Sequence, residues 1–371
     1  LDAETLSIGG NEGVNSPEHR NSYAALRWLF ALSVVYTHSF DLLGFAGRGD
    51  WIAKVSGYKL SHLGVVGFFV LSGYLNTVSM ERASGAFGGT AFLVRRAFRI
   101  LPLLWGILIT AVIWFWLKSG ITGANIGAGV RFFMGNAFFY QPHYFLAGIF
   151  ENNVNRSICG SLWTLQYEVL CYLILVVSGL GSLRGGAWLP RGILMTLLSA
   201  MLIVNTQDSP PFMGSIQAFW LGHLGWAFLC GIGLWKFPRI LQSRKAVLAS
   251  GLLLCISVSL REAVPPGWQM LQTAAYAVLV MKAGSYSWGM LARCADRWDA
   301  SYGIYLFSFP VQQALIAGGW SKPYSLFLAA ALLAAILGLL SWRFLEEPML
   351  NLGKRLSARL MLRPEGMQHA G

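Results

Sequence analysis

Ten apolar stretches divide the chain, separated by polar or basic segments. They run approximately over Tyr23–Gly44, His62–Met80, Leu101–Leu117, Leu162–Leu180, Leu189–Val204, Ile216–Trp235, Ala246–Leu260, Gln269–Met281, Ala300–Ala317 and Tyr324–Phe344. Crossing the hydrocarbon of a bilayer as a helix takes about 20 residues. The pattern therefore predicts an all-α fold, a polytopic membrane bundle of about ten transmembrane helices. The stretches at 189–204 and 269–281 are short, so the expected range is nine to eleven. Most stretches are apolar all round, and periodicity cannot separate their buried sides from their lipid-facing sides.

Composition narrows the reading. The chain has 371 residues, of which 55% are hydrophobic and only 12% charged, with a mean hydropathy of +0.54. A soluble domain carries roughly 25% charge, so a soluble fold, a disordered chain and a coiled coil are all excluded. The formal charge is +12. In a membrane protein that excess reads as basic helix ends that obey the positive-inside rule and touch anionic lipid, and no nucleic-acid partner is expected. Five cysteines form no CxxC pair, and six histidines show neither HExxH nor HxxxH spacing, so no metal or redox centre is expected.

With the N-terminus placed in the cytoplasm, 20 of the 28 Lys and Arg residues fall on the inner side and 8 on the outer side. That asymmetry favours both termini inside and an even number of spans. The expected organisation is a polar N-terminal tail over 1–22 with no signal-peptide core, a membrane domain over 23–350, and a basic cytoplasmic tail over 351–371. The longest gap, Lys118 to Ser161, lies outside and is rich in aromatic and amide groups (Asn136, Tyr140, Gln141, His143, Tyr144, Asn153). It suits a sugar-like acceptor or a cover for the bundle equally well. No internal repeat is visible, which disfavours a transporter built from inverted halves.

Ionisable groups inside a span are costly, and each is a functional candidate. Arg27 and His38 lie eleven residues apart in the first stretch, on one helical face, with a rise of roughly 16 Å between them. Arg27 reads as an inner-surface anchor or a site residue, and His38 as a core histidine or a catalytic one. Glu168 is flanked by Ser161, Thr164 and Tyr172 at i, i+3, i+7 and i+11 spacing, which makes one polar stripe. A Glu about as deep as His38 can orient and polarise the imidazole if the two meet across the bundle; a purely structural Glu is the alternative. Arg95, Arg96 and Arg99 precede Pro102 and offer a phosphate clamp, or simple positive-inside anchoring. Ser72 and Gly73 break an apolar run and permit close approach of a helix or a thin ligand. Ser301, Tyr305, Ser308 and Gln312 form a second stripe.

Together Arg27-x10-His38, FFVLSGY (68–74), RRAFRILP (95–102), SLWTLQYEVLCY (161–172), SYGIYLFSFPVQQ (301–313) and EEP (346–348) resemble the acyltransferase-3 family of multi-span membrane acyltransferases, in the expected order along the whole chain. Within the family the closest similarity is to exopolysaccharide and lipooligosaccharide acetyltransferases. The resemblance implies transfer of an acyl group, usually acetyl, from cytoplasmic acyl-coenzyme A to a hydroxyl of a lipid-linked or extracytoplasmic glycan in a bacterial inner membrane. Acetyl-CoA is then a donor substrate and not a permanently bound cofactor. The resemblance further implies that Arg27 and His38 are essential and that Arg95, Arg96 and Arg99 face the coenzyme. Two departures stand out: Ser308 occupies a place where many members have His, and no hydrolase-like domain of the kind larger relatives carry is read in this sequence.

The expected mechanism docks the nucleotide on the arginines and threads the pantetheine arm past Ser72–Gly73. His38, assisted by Glu168, acts as general base or as a transient acetyl carrier. Trp163, Tyr172 and Tyr305 are candidate substrate contacts, with Tyr305 or Trp163 as oxyanion donor. The rivals are a proton-coupled transporter or flippase that uses Arg27, His38 and Glu168 as a relay, and a non-catalytic partner of a polysaccharide synthase. The oligomeric state is not legible.

Overall fold

The computed structural model describes residues 21–45, 50–83, 87–139, 142–180, 188–206, 210–211, 215–259 and 267–361. The polar tail over 1–20, the end of the C-terminal tail beyond 361, and Arg48, Tyr140, Gln141, Arg184 and Arg261 lie outside them. The described chain is all-helical: α1 Tyr23–Asp41, α2 Trp51–Ser56, α3 Leu60–Arg82, α4 Gly88–Ser119, α5 Gly123–Ala137, α6 Trp163–Ser178, α7 Trp188–Asn205, α8 Ala218–Lys236, α9 Arg239–Gln242, α10 Arg244–Ser259, α11 Trp268–Ser285, α12 Met290–Arg297, α13 Ser301–Ala317, α14 Pro323–Ser341 and α15 Glu347–Met361. Each of the ten apolar stretches forms one of the longer helices. Among the described residues, six helical segments are long and apolar enough to cross a membrane on that ground alone: α3, α4, Gly160–Ser178, α7, α8, and Pro323–Met361.

Local chemistry explains the breaks. Pro102 sits inside the 32-residue α4 and removes the N–H that would bond the carbonyl of Phe98. Pro348 does the same after α14, and the chain there widens into a π turn over Trp342–Glu346. The Asp50 carboxylate, 2% exposed, caps two helices at once: it accepts from the N–H of Ala53 in α2 at 3.1 Å and of Leu60 at the start of α3 at 3.0 Å.

The core is assembled around α3, which packs against α1 on one side and α8 on the other. Bare backbone makes this possible. A Cβ on Gly73 would overlap the carbonyl oxygen of Phe228, and one on Gly231 would overlap that of Val70. A Cβ on Gly64 would likewise overlap the Ser33 hydroxyl. Small residues at a helix crossing let backbones approach closely. Because the opposing atoms at Gly73 are backbone, they have no rotamer into which to retreat. Gly73→Ala is expected to force α3 from α8 at a cost of about 3 kcal/mol or more, read as loss of monodisperse protein on size exclusion in detergent.

The segment between α4 and α6 folds back over the bundle. Gln313 Nε2 donates to the carbonyls of Asn155 (2.7 Å) and Ser157 (2.6 Å), and Asn153 Nδ2 donates to Gln313 Oε1 at 2.8 Å. Ile149, Phe150, Ile158 and Cys159 from the same segment are buried. These contacts lay the described part of the segment over the end of α13.

Candidate active site

Five helices enclose a cleft of about 860 Å3: α1, α3, α4, α6 and α13. From Val65 to Asn76, its lining on α3 spans eleven residues, a rise of roughly 16 Å. Part of each polar stripe turns into it, while Ser308 and Gln312 do not line it, Gln312 Nε2 donating instead to the Val35 carbonyl of α1 at 2.8 Å. Thr164, Glu168 and Tyr172 line one side, and Ser301 and Tyr305 the facing side. They meet where Tyr305 Oη lies 2.6 Å from Thr164 Oγ1 and donates to the Ser161 carbonyl at 2.8 Å. Midway along, the Glu168 carboxylate accepts from Tyr172 Oη and, at 3.5 Å, from Ser72 Oγ; Asn76 Nδ2 in turn donates to Ser72 Oγ at 2.8 Å.

One end of the cleft carries Arg27, Arg96 and Arg99. Arg27 Nη2 and Arg99 Nη2 converge on one oxygen, Asp299 Oδ2, at 3.0 and 2.9 Å. Arg99 Nη1 also reaches Glu346 Oε2 at 3.4 Å. Glu346 is buried in the π turn and accepts from Ser341 Oγ at 2.7 Å. Gly303 leaves room for it, since a Cβ there would stand 3.2 Å from Glu346 Oε1. Asp299 lies in the linker between α12 and α13. Burial alone would raise its carboxyl above the ordinary range, but the Arg27 and Arg99 guanidiniums outweigh burial and hold it below.

Arg96 is different. Its guanidinium lies over the rings of Phe92 (5.5 Å) and Tyr172 (5.9 Å). It has no carboxylate within ion-pair distance among the described residues, and its buried Nε has no hydrogen-bond partner there. An aromatic-backed guanidinium with donors to spare is a ready anion contact.

The other sequence candidates are distributed unevenly. Arg95 turns away from the cleft, toward the Ser79 carbonyl and Ser357 Oγ of α15, both at 3.4 Å. Gly73 packs against α8, as described above, while its neighbour Ser72 faces the cleft. Trp163 packs edge-on against Trp220 and Tyr167, centroids 5.1 and 5.8 Å apart, and does not line the cleft. His38 and Glu168 share no hydrogen bond among the described residues. The half-buried His38 ring instead packs edge-on against Phe309, centroids 5.2 Å apart. The backbone N–H of Ser61 donates to Thr37 Oγ1 at 2.9 Å, which puts His38 level with the first turn of α3. That level is four residues, about 6 Å, beyond the Val65 end of the cleft. Phe309 stands between, one turn after Tyr305, resting where Gly160 has no side chain.

Asp299 and Glu346 escape a reading restricted to charges inside apolar stretches. Their signal was present: Asp299 opens the segment DASYGIYLF, and Glu346 begins EEP.

Comparison with known proteins gives the arrangement a context. The acyltransferase-3 family, described as an acyltransferase domain, matches residues 20–343. The chain is 28% identical to "Nodulation protein 10" of Rhizobium leguminosarum bv. viciae, over 94% of this chain and 98% of that protein. It is 27% identical to an "O-acetyl transferase" of Shigella phage Sf6, over 92% and 98% of the two chains. It is 25% identical to "Exopolysaccharide production protein ExoZ" of Rhizobium meliloti, over 80% and 92%. No solved structure matches. With its apolar helices, its polar cleft and a match over nearly its whole length, the chain belongs to the acyltransferase-3 family of multi-pass membrane proteins.

Proposed function

We propose that this protein is a membrane O-acetyltransferase that moves an acetyl group from cytoplasmic acetyl-CoA to a hydroxyl of a lipid-linked or extracytoplasmic glycan. The observation that carries the reading is the run of the cleft: guanidiniums at one end, hydroxyls and Glu168 midway, and an end one turn short of His38. The names of the relatives from phage Sf6 and Rhizobium meliloti support the reaction class and the polysaccharide setting. The 20-to-8 charge asymmetry supports cytoplasmic termini, in keeping with a bacterial inner membrane.

In this reading Arg96 and Arg99 take the coenzyme's phosphates, and the pantetheine arm lies along Ser72. The thioester reaches His38 once the Phe309 ring swings aside. The acceptor oxygen attacks the thioester carbonyl while its proton passes to the imidazole. The C–S bond then breaks, and the coenzyme A thiolate leaves and is reprotonated. Arg27 holds its place through Asp299 and sets the inner end of α1. Glu168 acts within the cleft, on Tyr172 and Ser72, rather than on the imidazole.

Arg96→Ala is expected to raise KM for acetyl-CoA about 10- to 100-fold, the loss of one or two charge-assisted hydrogen bonds. Arg95→Ala should change it far less. Steady-state kinetics in proteoliposomes checks both. Labelled acetyl-CoA tests the class: a transporter would release no free coenzyme A when acceptor is added, and that result would overturn the proposal.

A further inference from the structure

On the far face of α3 lies a second cavity, of about 620 Å3, between α3, α8, α10 and α11. Two histidines unrelated in sequence spacing meet in it. His62 Nε2 and His223 Nε2 are 3.3 Å apart with the rings stacked, and Tyr58 stacks on His62 from the other side. Tyr58 Oη donates to Gln272 Oε1 at 2.6 Å. Tyr276 Oη donates to the Leu63 carbonyl at 2.9 Å and Ser257 Oγ to the Leu253 carbonyl at 2.6 Å. His223 is 2% exposed, and its Nδ1 has no partner among the described residues. The buried Thr273, 5% exposed, and the half-buried Gln272 add a hydroxyl and an amide to the lining. Buried polar groups left unpaired cost free energy that a ligand can recover. Leu63, Val66, Leu254 and Val258 supply the apolar wall.

Among the described residues, no lysine, arginine, aspartate or glutamate lines the cavity. A phosphate, a carboxylate or an amine would enter without a counter-charge, at a prohibitive desolvation cost. A neutral sugar ring has the matching surfaces, with C–H faces for the apolar wall and hydroxyls for the amide, the hydroxyl and the imidazoles. The position fits as well. Ser61, next to His62, bonds Thr37, next to His38. The cavity therefore lies level with His38 and one helix width from it, on the order of 10 Å, at the end of α3 opposite the arginines. We propose that it is a subsite for an uncharged sugar unit of the acceptor, holding the glycan while another of its hydroxyls reaches His38. This rests on the transferase reading above.

The test uses the full chain in nanodiscs, labelled acetyl-CoA, and as acceptor the glycan pool extracted from host cells lacking this protein. Thr273→Val, nearly isosteric, and Gln272→Leu are compared with wild type, each checked by melting temperature and elution. The expected result is an acceptor KM raised about five- to tenfold per lost hydrogen bond, with donor KM unchanged. If wild type transfers acetyl and both variants keep its acceptor KM, the subsite is refuted and the transferase reading stands. Equal shifts in donor and acceptor KM together with a lower melting temperature also refute it, because they mark a merely structural role. If wild type transfers nothing to that pool, the transferase reading fails and the subsite with it.

Discussion

Replacing His38 with alanine is expected to lower acetyl transfer by at least two to four orders of magnitude, the usual contribution of a positioned general base. The imidazole makes no hydrogen bond among the described residues and packs edge-on against Phe309, so the variant should insert and elute like wild type. The measurement is single-turnover release of coenzyme A from labelled acetyl-CoA in the presence of acceptor. His38→Gln, which keeps a polar side chain of similar length but cannot take the proton, should be as inactive as alanine. Retained product in either variant would remove the residue from the chemistry. Donor binding should persist, since the anion contacts at Arg96 and Arg99 lie at the other end of the cleft.

Asp299→Ala is expected to have the largest effect on stability. One carboxylate oxygen serves two guanidiniums of which at most about a quarter is exposed. Removing it leaves two like charges facing each other in a low dielectric, a cost of roughly 3–5 kcal/mol. A double-mutant cycle separates this from lost packing: Arg27→Ala combined with Asp299→Ala should destabilise by less than the two single changes added together. The pH dependence has a definite sign. Because the folded carboxyl sits below its ordinary value, its contribution is complete above the unfolded carboxylate range, about pH 4. It fades as the pH falls through the folded value. The gap in melting temperature between wild type and Asp299→Asn should therefore close on acidification. A gap that widens would contradict the ion-pair account.

The fold was largely legible because hydropathy reports long helices well: each of the ten apolar stretches is a helix. The short amphipathic pieces α2, α5, α9 and α12 were not legible, since tertiary contact and capping, not apolarity, hold them. In the site, the two stripes around Glu168 and Tyr305 converge as the i, i+3, i+7 spacing implies, and Ser72 joins them. Depth counting failed for His38 and Glu168. Helices of one bundle start at different heights, and Ser61–Thr37 puts His38 above the cleft rather than beside Glu168. Arg95 and Arg96 also part company, because neighbours on a helix point about 100° apart. The counter-ions Asp299 and Glu346 sit in a linker and a π turn, where no periodic rule places them. His62 and His223 are separated by 161 positions, and only packing brings them together.

The glycine contacts that join α1, α3 and α8 decide which parts of the protein can move. Where main chain rests on main chain, two helices cannot slide or part a little; they stay docked or come undone as a whole. Across the cleft, α6 is fastened to α13 by single side chains, Thr164 to Tyr305 among them, and each of these can let go and re-form alone. On the proposed reading, α6 is the wall that swings against this fixed frame to admit donor and acceptor, so a crosslink from α6 to α13 would lock the door with its hinge intact.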